Sequence, residues 1–183
     1  PRLAIDELLQ FAARPHPLDR DAFWEAELRQ GKARRIRILQ HEQRVVLLSE
    51  KARVDINGVE QGMFLKSIDV SHPVLLYLHG GMPDYFLTQK YPTKLEDNFT
   101  VVWWEQRGSG ISYRDDIPKE SITLEQLISD TLAVTNYLRN RFHREKIYLM
   151  GHSGGTFFGI QVAAQHPELY FAYMGEQQIS YQL

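Results

Sequence analysis

An α/β fold, with a mostly parallel sheet, helices on both faces and antiparallel strands at the N-terminal side, is what three features of this 183-residue sequence predict. From residue 74 onward, short apolar runs alternate with segments of helical period, the βαβ rhythm that right-handed crossovers impose on a parallel sheet. Two of those runs, residues 74–78 and 99–104, are apolar almost throughout, as central strands covered on both faces must be. Upstream, Arg35-Ile36-Arg37-Ile38-Leu39 alternates polar and apolar residues, the period of a half-buried strand.

In chain order, residues 1–31 read as a helical leader. Ile5, Leu8, Leu9 and Ala12 recur at helical spacing, Pro15 and Pro17 interrupt them, and a second segment carrying Phe23, Trp24 and Leu28 ends at Gly31. This leader is either an amphipathic piece packed on the sheet, the simpler reading, or an arm over a site. Residues 34–69 predict antiparallel strands at the edge of a larger sheet, reversing at Asn57-Gly58. A short helical region is expected at 84–97. The clearest helix spans 123–142, where Thr123 and Gln126 form a capping box and Leu124, Leu127, Ile128, Val134, Leu138 and Phe142 share a face. A strand at 147–150, a helix stopping near His166 ahead of Pro167, and a last strand at 169–174 complete the pattern.

Length suits one domain with a sizeable core, so residues 32–183 are expected to belong to a single unit without internal repeat or linker. A net charge of -2 argues against nucleic acid or an anionic membrane as partner, and the basic cluster Lys32, Arg34, Arg35, Arg37 lacks interleaved aromatics for base stacking. There is no cysteine, which excludes thiol catalysis and fits cytoplasm or export alike. No apolar run is long enough to span a bilayer. No His/Asp/Glu cluster has ligand spacing, so neither metal nor organic cofactor is expected.

Chemistry concentrates at three strand ends. Gly151-His152-Ser153-Gly154-Gly155 fits Gly-x-Ser-x-Gly between an apolar strand and an apolar helix, the context this nucleophile pattern requires. A side chain two residues before or after the serine would collide with the crossing backbone, which accounts for the outer glycines. His79-Gly80-Gly81 ends the strand at 74–78 and should lie beside Ser153, because ligands bind outside the carboxyl ends of such sheets. The backbone N–H groups of Gly81 and Gly154 are the candidate oxyanion donors. His79 lines the pocket or supports the loop, and His152 packs or hydrogen-bonds locally. Arg107 either binds an anionic group or, more simply, holds neighbouring loops through their carbonyls. Glu176, at the end of the last strand, either meets a substrate amine or is a solvated carboxylate.

Taken in order, His79-Gly80-Gly81, Glu105-Gln106-Arg107-Gly108-Ser109-Gly110 and Gly151-His152-Ser153-Gly154-Gly155 resemble the three signatures of the prolyl iminopeptidase-like branch of the α/β-hydrolase superfamily. The middle signature usually begins with Asp, where this chain has Glu105; the first usually reads His-Gly-Gly-Pro-Gly, where Met82-Pro83-Asp84 follows here. The usual elbow has Gly-Gly-Ser-Trp-Gly, whereas His152 and Gly154 flank this serine. Epoxide hydrolases and haloalkane dehalogenases are similar in architecture but place Asp at the elbow. The resemblance implies a serine hydrolase cleaving an amide or ester through an acyl-enzyme on Ser153, and within the branch an aminopeptidase releasing N-terminal residues from small peptides. A carboxylesterase of the same fold and a non-catalytic binding protein are the alternatives. In this fold the acid and then the histidine follow the serine. Here only His166, Glu168 and Glu176 do so, in the wrong order or out of reach. The triad acid and histidine are therefore expected beyond Leu183, together with a cap, making this chain an N-terminal portion whose partners are the remainder of its own chain and a small-molecule or short-peptide substrate. Little turnover is expected from these residues alone.

Overall fold

The computed structural model describes residues 34–40 and 43–180. The expected leader at 1–31 falls outside the described residues, as do Lys32 and the side chains of Arg34, Arg35 and Arg37. Within them, β1 (Arg34–Gln40), β2 (Gln43–Ile56), β3 (Val59–Ser67), β4 (Val74–Leu78), β5 (Thr100–Glu105), β6 (Ile147–His152) and β7 (Tyr170–Glu176) form one sheet in the order β1-β2-β3-β5-β4-β6-β7. The pairings β1/β2, β2/β3 and β3/β5 are antiparallel, whereas β5/β4, β4/β6 and β6/β7 are parallel. The hairpin of β2 and β3 reverses at Asn57 and Gly58, with φ of 51° and 77°, as the primed two-residue turns that match strand twist require.

All residues of β4 and β5 are buried, because these strands have neighbours on both sides and cover on both faces. On one face Leu76 and Leu78 of β4 join Val102 and Trp104 of β5 beneath two helices, α1 (Leu124–Phe142) and α2 (Gly154–Gln165), through Val134, Leu138, Phe158 and Val162. Leu75, Tyr77, Val101 and Trp103 point the other way. There, the 3-10 turns Tyr85–Gln89 and Leu95–Asp97 supply the cover, with the Tyr85 ring stacked 4.0 Å from that of Phe64. Towards β7 this face thins out, and Phe171, tilted against Tyr148, remains 60% exposed.

Two local expectations are adjusted. Strands β6 and β7 continue past their apolar runs, pairing Gly151 with Gly175 and His152 with Glu176. Pairing uses backbone groups, so it does not end where hydrophobicity does. At the start of α1 only half of the capping box forms: Thr123 Oγ1 accepts the Gln126 N–H at 3.2 Å, but the Gln126 side chain turns to Asp130 Oδ1 at 2.8 Å.

Asp130 draws it there because a fully buried carboxylate must be surrounded by donors. Arg107 meets it with both arms of its guanidinium, Nε to Oδ2 at 2.7 Å and Nη2 to Oδ1 at 3.0 Å. Gln61 Nε2 and Asn57 Nδ2 add hydrogen bonds of 2.8 Å each, and Trp104 Nε1 donates to Gln61 Oε1 at 3.0 Å. Arg107 also reaches the carbonyls of Ile56 and Asn57, at 3.4 and 3.5 Å, but its main partner is the carboxylate. The network ties the β2–β3 turn, the loop after β5 and α1 into one unit.

Removing one member of a buried pair strands the other charge. Asp130→Ala is expected to lower unfolding free energy by about 3–5 kcal/mol in urea titration, whereas Arg53→Ala, which breaks the half-exposed Arg53–Glu60 pair, should lower it by less than about 1 kcal/mol. Equal losses would show that the buried network is not a principal anchor.

Candidate active site

Strands β5, β4, β6 and β7 run parallel, so their carboxyl ends form one edge, and the register sets Leu78 level with both Trp104 and Gly151. The residues that follow each strand are therefore neighbours: His79-Gly80-Gly81, Glu105-Gln106-Arg107, Ser153-Gly154, and Glu176 at the end of β7.

Ser153 has φ 48° and ψ -117°, a conformation that L-residues avoid, at a strain of about 1–3 kcal/mol. It is held there from both sides. Its N–H donates to Glu176 O at 2.9 Å, and its carbonyl accepts the Thr156 N–H, also at 2.9 Å, in the first turn of α2. The outer glycines are required sterically: a Cβ on Gly151 would lie 2.9 Å from Gly155 O and Thr156 Cα, and one on Gly155 would collide with Leu78 O. Helix α2 passes directly over the ends of β4 and β6.

The His79-Gly80-Gly81 turn lies against the serine. A Cβ on Gly80 would approach Ser153 Cβ to 3.0 Å and Gly154 N to 3.4 Å, and one on Gly154 would lie 3.6 Å from Gly81 N. Both candidate donor amides therefore border the same space beside Ser153. His79 is buried and occupied with the turn itself. The Gln106 N–H reaches His79 Nε2 at 3.2 Å, and because an amide N–H can only donate, the ring proton sits on Nδ1, which donates to Gly80 O at 2.9 Å. The Gln106 side chain returns a bond to His79 O at 3.2 Å. Burial pushes the His79 pKa below the usual histidine value, outweighing the Gly80 carbonyl and the Asp84 carboxylate. Of the two roles open to His79, its contacts serve loop support.

Glu105 stands where the resembling family has Asp, and its longer side chain bends back so that Oε2 accepts the Ile111 N–H at 2.5 Å, closing the loop after β5. His152 Nδ1 lies 3.4 Å from Asp84 Oδ2, which also accepts the Tyr77 hydroxyl at 2.7 Å. Burial, then the Asp84 bond, raises the Tyr77 pKa, so the phenol keeps the proton it donates. The Glu176 carboxylate, which is exposed, adds to that rise. His166 caps the end of α2, 3.4 Å from Glu168. Among the described residues, no histidine or carboxylate hydrogen-bonds the Ser153 hydroxyl.

Asp84 and Thr156 were not legible as site residues. Asp84 lies in a loop without a pattern, and Thr156 reads as one more residue of an apolar helix; only its place three residues after Ser153, one turn along, could have marked it.

Two outcomes follow from this geometry. Gly155→Ala should destabilise the protein by about 3 kcal/mol or more in urea titration, while Gly81→Ala, whose Cβ would meet nothing within 4 Å, should change stability by less than about 1 kcal/mol; similar effects at the two sites would contradict the steric account. His79, with its folded pKa depressed, contributes stability that is present above the unfolded value near 6.5 and is lost as pH falls through the folded pKa. Between pH 7.5 and 5, the loss of stability should be steeper for the wild type than for His79→Gln, and parallel curves would remove His79 from the acid response.

Residues 71–174 match the family model described as serine aminopeptidase, S33. Over 128 residues the chain is 40% identical to the probable aminopeptidase YbaC of Bacillus subtilis (strain 168), covering 69% of this chain and 40% of that one. A proline iminopeptidase-related protein from Thermus thermophilus superposes with a TM-score of 0.52 at 28% identity, over 66% of this chain and 41% of its own. An epoxide hydrolase from Vigna radiata, at 24% identity over 69% and 39% of the two chains, shares the fold with a TM-score of 0.57. The chain thus spans about two fifths of the length of these relatives. Its ordered strand ends, its sheet and these matches lead to one conclusion: the chain belongs to the S33 serine aminopeptidase family of α/β-hydrolases.

Proposed function

We propose that these residues form the nucleophile half of a serine hydrolase that cleaves an amide or ester, with an aminopeptidase-type substrate carrying a free amino group. The observation that carries the reading is Ser153 at φ 48°, held in a strained turn with the Gly80-Gly81 backbone packed against it. Strain of this kind persists where the surroundings over-determine it, and it clusters at functional sites.

In the proposed reaction Ser153 Oγ attacks the substrate carbonyl carbon while its proton passes to a base. The carbonyl oxygen gains the negative charge, which the Gly81 and Gly154 N–H groups stabilise. Collapse of the tetrahedral intermediate expels the amine or alcohol, which takes up the proton, and leaves an acyl group on Ser153. Attack by water, again with proton removal, then releases the acid and restores the hydroxyl. None of His79, His152 and His166 hydrogen-bonds the Ser153 hydroxyl, and we assign the base and its carboxylate partner to the part of the relatives' length that lies outside these residues. Glu176, whose carbonyl accepts the Ser153 N–H and whose carboxylate is exposed, supports the choice of substrate, because a carboxylate beside the serine turn favours a substrate ammonium. YbaC, itself described as a probable aminopeptidase, supports the same class.

The test is labelling of the full-length protein with a fluorophosphonate, followed by assay on aminoacyl arylamides and on simple aryl esters. Modification at Ser153 is expected, and Ser153→Ala should lower kcat by at least about 10³-fold. A protein that is unlabelled and inactive on both substrate types would instead be a binding protein. Hydrolysis of the aryl ester with no turnover of the arylamide would make it a carboxylesterase.

A further inference from the structure

We infer that Thr156 is a positioning residue for Ser153, coupling the strained serine to the segment that leaves β7. The inference rests on Ser153 being the nucleophile. The Thr156 side chain is fully buried, and its hydroxyl works in both directions. It donates to Ser153 O at 2.5 Å and accepts the Ile179 N–H at 3.0 Å. The same segment holds the serine a second time, through the 2.9 Å bond from the Ser153 N–H to Glu176 O. Both polar backbone groups of Ser153 are therefore tied to residues 176–179, one directly and one through a single hydroxyl.

The segment is itself braced. Tyr173 donates its hydroxyl to Gln178 Oε1 at 2.9 Å, and Gln178 fits against Gly175, where a Cβ would collide with that oxygen. Gln177 turns the chain with φ 52°. Burial pushes the Tyr173 pKa up to about 12, so this hydroxyl stays a donor at neutral pH. A displacement of the segment is thus transmitted to the serine backbone, whose dihedral angles set the direction of Oγ and of the neighbouring Gly154 N–H.

Only a side chain that donates and accepts through one oxygen can fill this position. Valine matches threonine in shape and does neither; serine does both without the methyl group. The experiment compares Thr156→Val and Thr156→Ser in the full-length protein, reading hydrogen exchange of the Ser153 amide and the rate of fluorophosphonate labelling at Ser153. For Thr156→Val, exchange should quicken and labelling slow by about 10-fold or more each, with the β2–β3 amides still protected. Thr156→Ser should leave both within about threefold of wild type, the rescue that mere filling of space would not produce. Labelling of the valine variant at the wild-type rate, unchanged exchange at Ser153, or equal losses in the two variants overturns the inference. Should Thr156→Val fail to fold, Thr156→Ala, which also lacks the hydroxyl and adds no bulk, is judged by the same criteria. An unlabelled wild type would refute the nucleophile reading and, with it, the positioning role. That result is distinguished from a missing brace by the exchange difference between the two variants, which would persist.

Discussion

The passage of α2 over the end of β4 is the contact on which the rest of this structure depends. With no room for a Cβ between Gly155 and Leu78 O, the chain must leave β6 and enter the helix within a single residue. Ser153 takes the strain of that turn, and the first turn of the helix is delivered beside the Gly80-Gly81 backbone. The strained turn at Ser153 thus follows from close packing of backbone on backbone. It requires no charged residue at the point of contact, and the conformation is maintained by hydrogen bonds from β7 and from Thr156.

A second anchor keeps the surrounding loops in place. Arg107 and Asp130 are both buried, and their charges are compensated by one another and by Gln61, Asn57 and Gln126. An apolar core could hold α1 against the sheet, but it could not fix the direction of the loop after β5, since nonpolar contacts carry little orientation. The paired hydrogen bonds of the guanidinium supply that direction. His79 then joins the loop after β5 to the turn after β4 through Gln106. Core network, loop, glycine turn and serine form a continuous chain of fixed groups.

Much of the scaffold was legible in the residues because it depends on local composition. The fully apolar runs at β4 and β5, the Asn57-Gly58 reversal and the long amphipathic helix each reflect a pattern within a few residues of sequence. The site was legible where sterics demand a particular residue, as at Gly151 and Gly155, and where a motif closes a strand. It was not legible where partners are distant. Arg107 and Asp130 are 23 positions apart and Gln61 is 69 from Asp130, so no periodicity could join them. For the same reason the capping box expected at Thr123 formed by half: Gln126 suits both the cap and the buried carboxylate, and the carboxylate, with no access to water, has the greater need.

By itself, then, the sequence determined the order of strands and helices and the place of the strained serine, because apolar period and the absence of a Cβ act over a few residues. Only the tertiary structure decided what each polar group does once there. It committed His79 to the glycine turn, turned His152 to Asp84, matched Arg107 with Asp130 and brought Thr156 between Ser153 and Ile179. The physical reason is that a hydrogen bond is settled by distance and direction in space, and the sheet brings together strand ends that lie tens of residues apart along the chain.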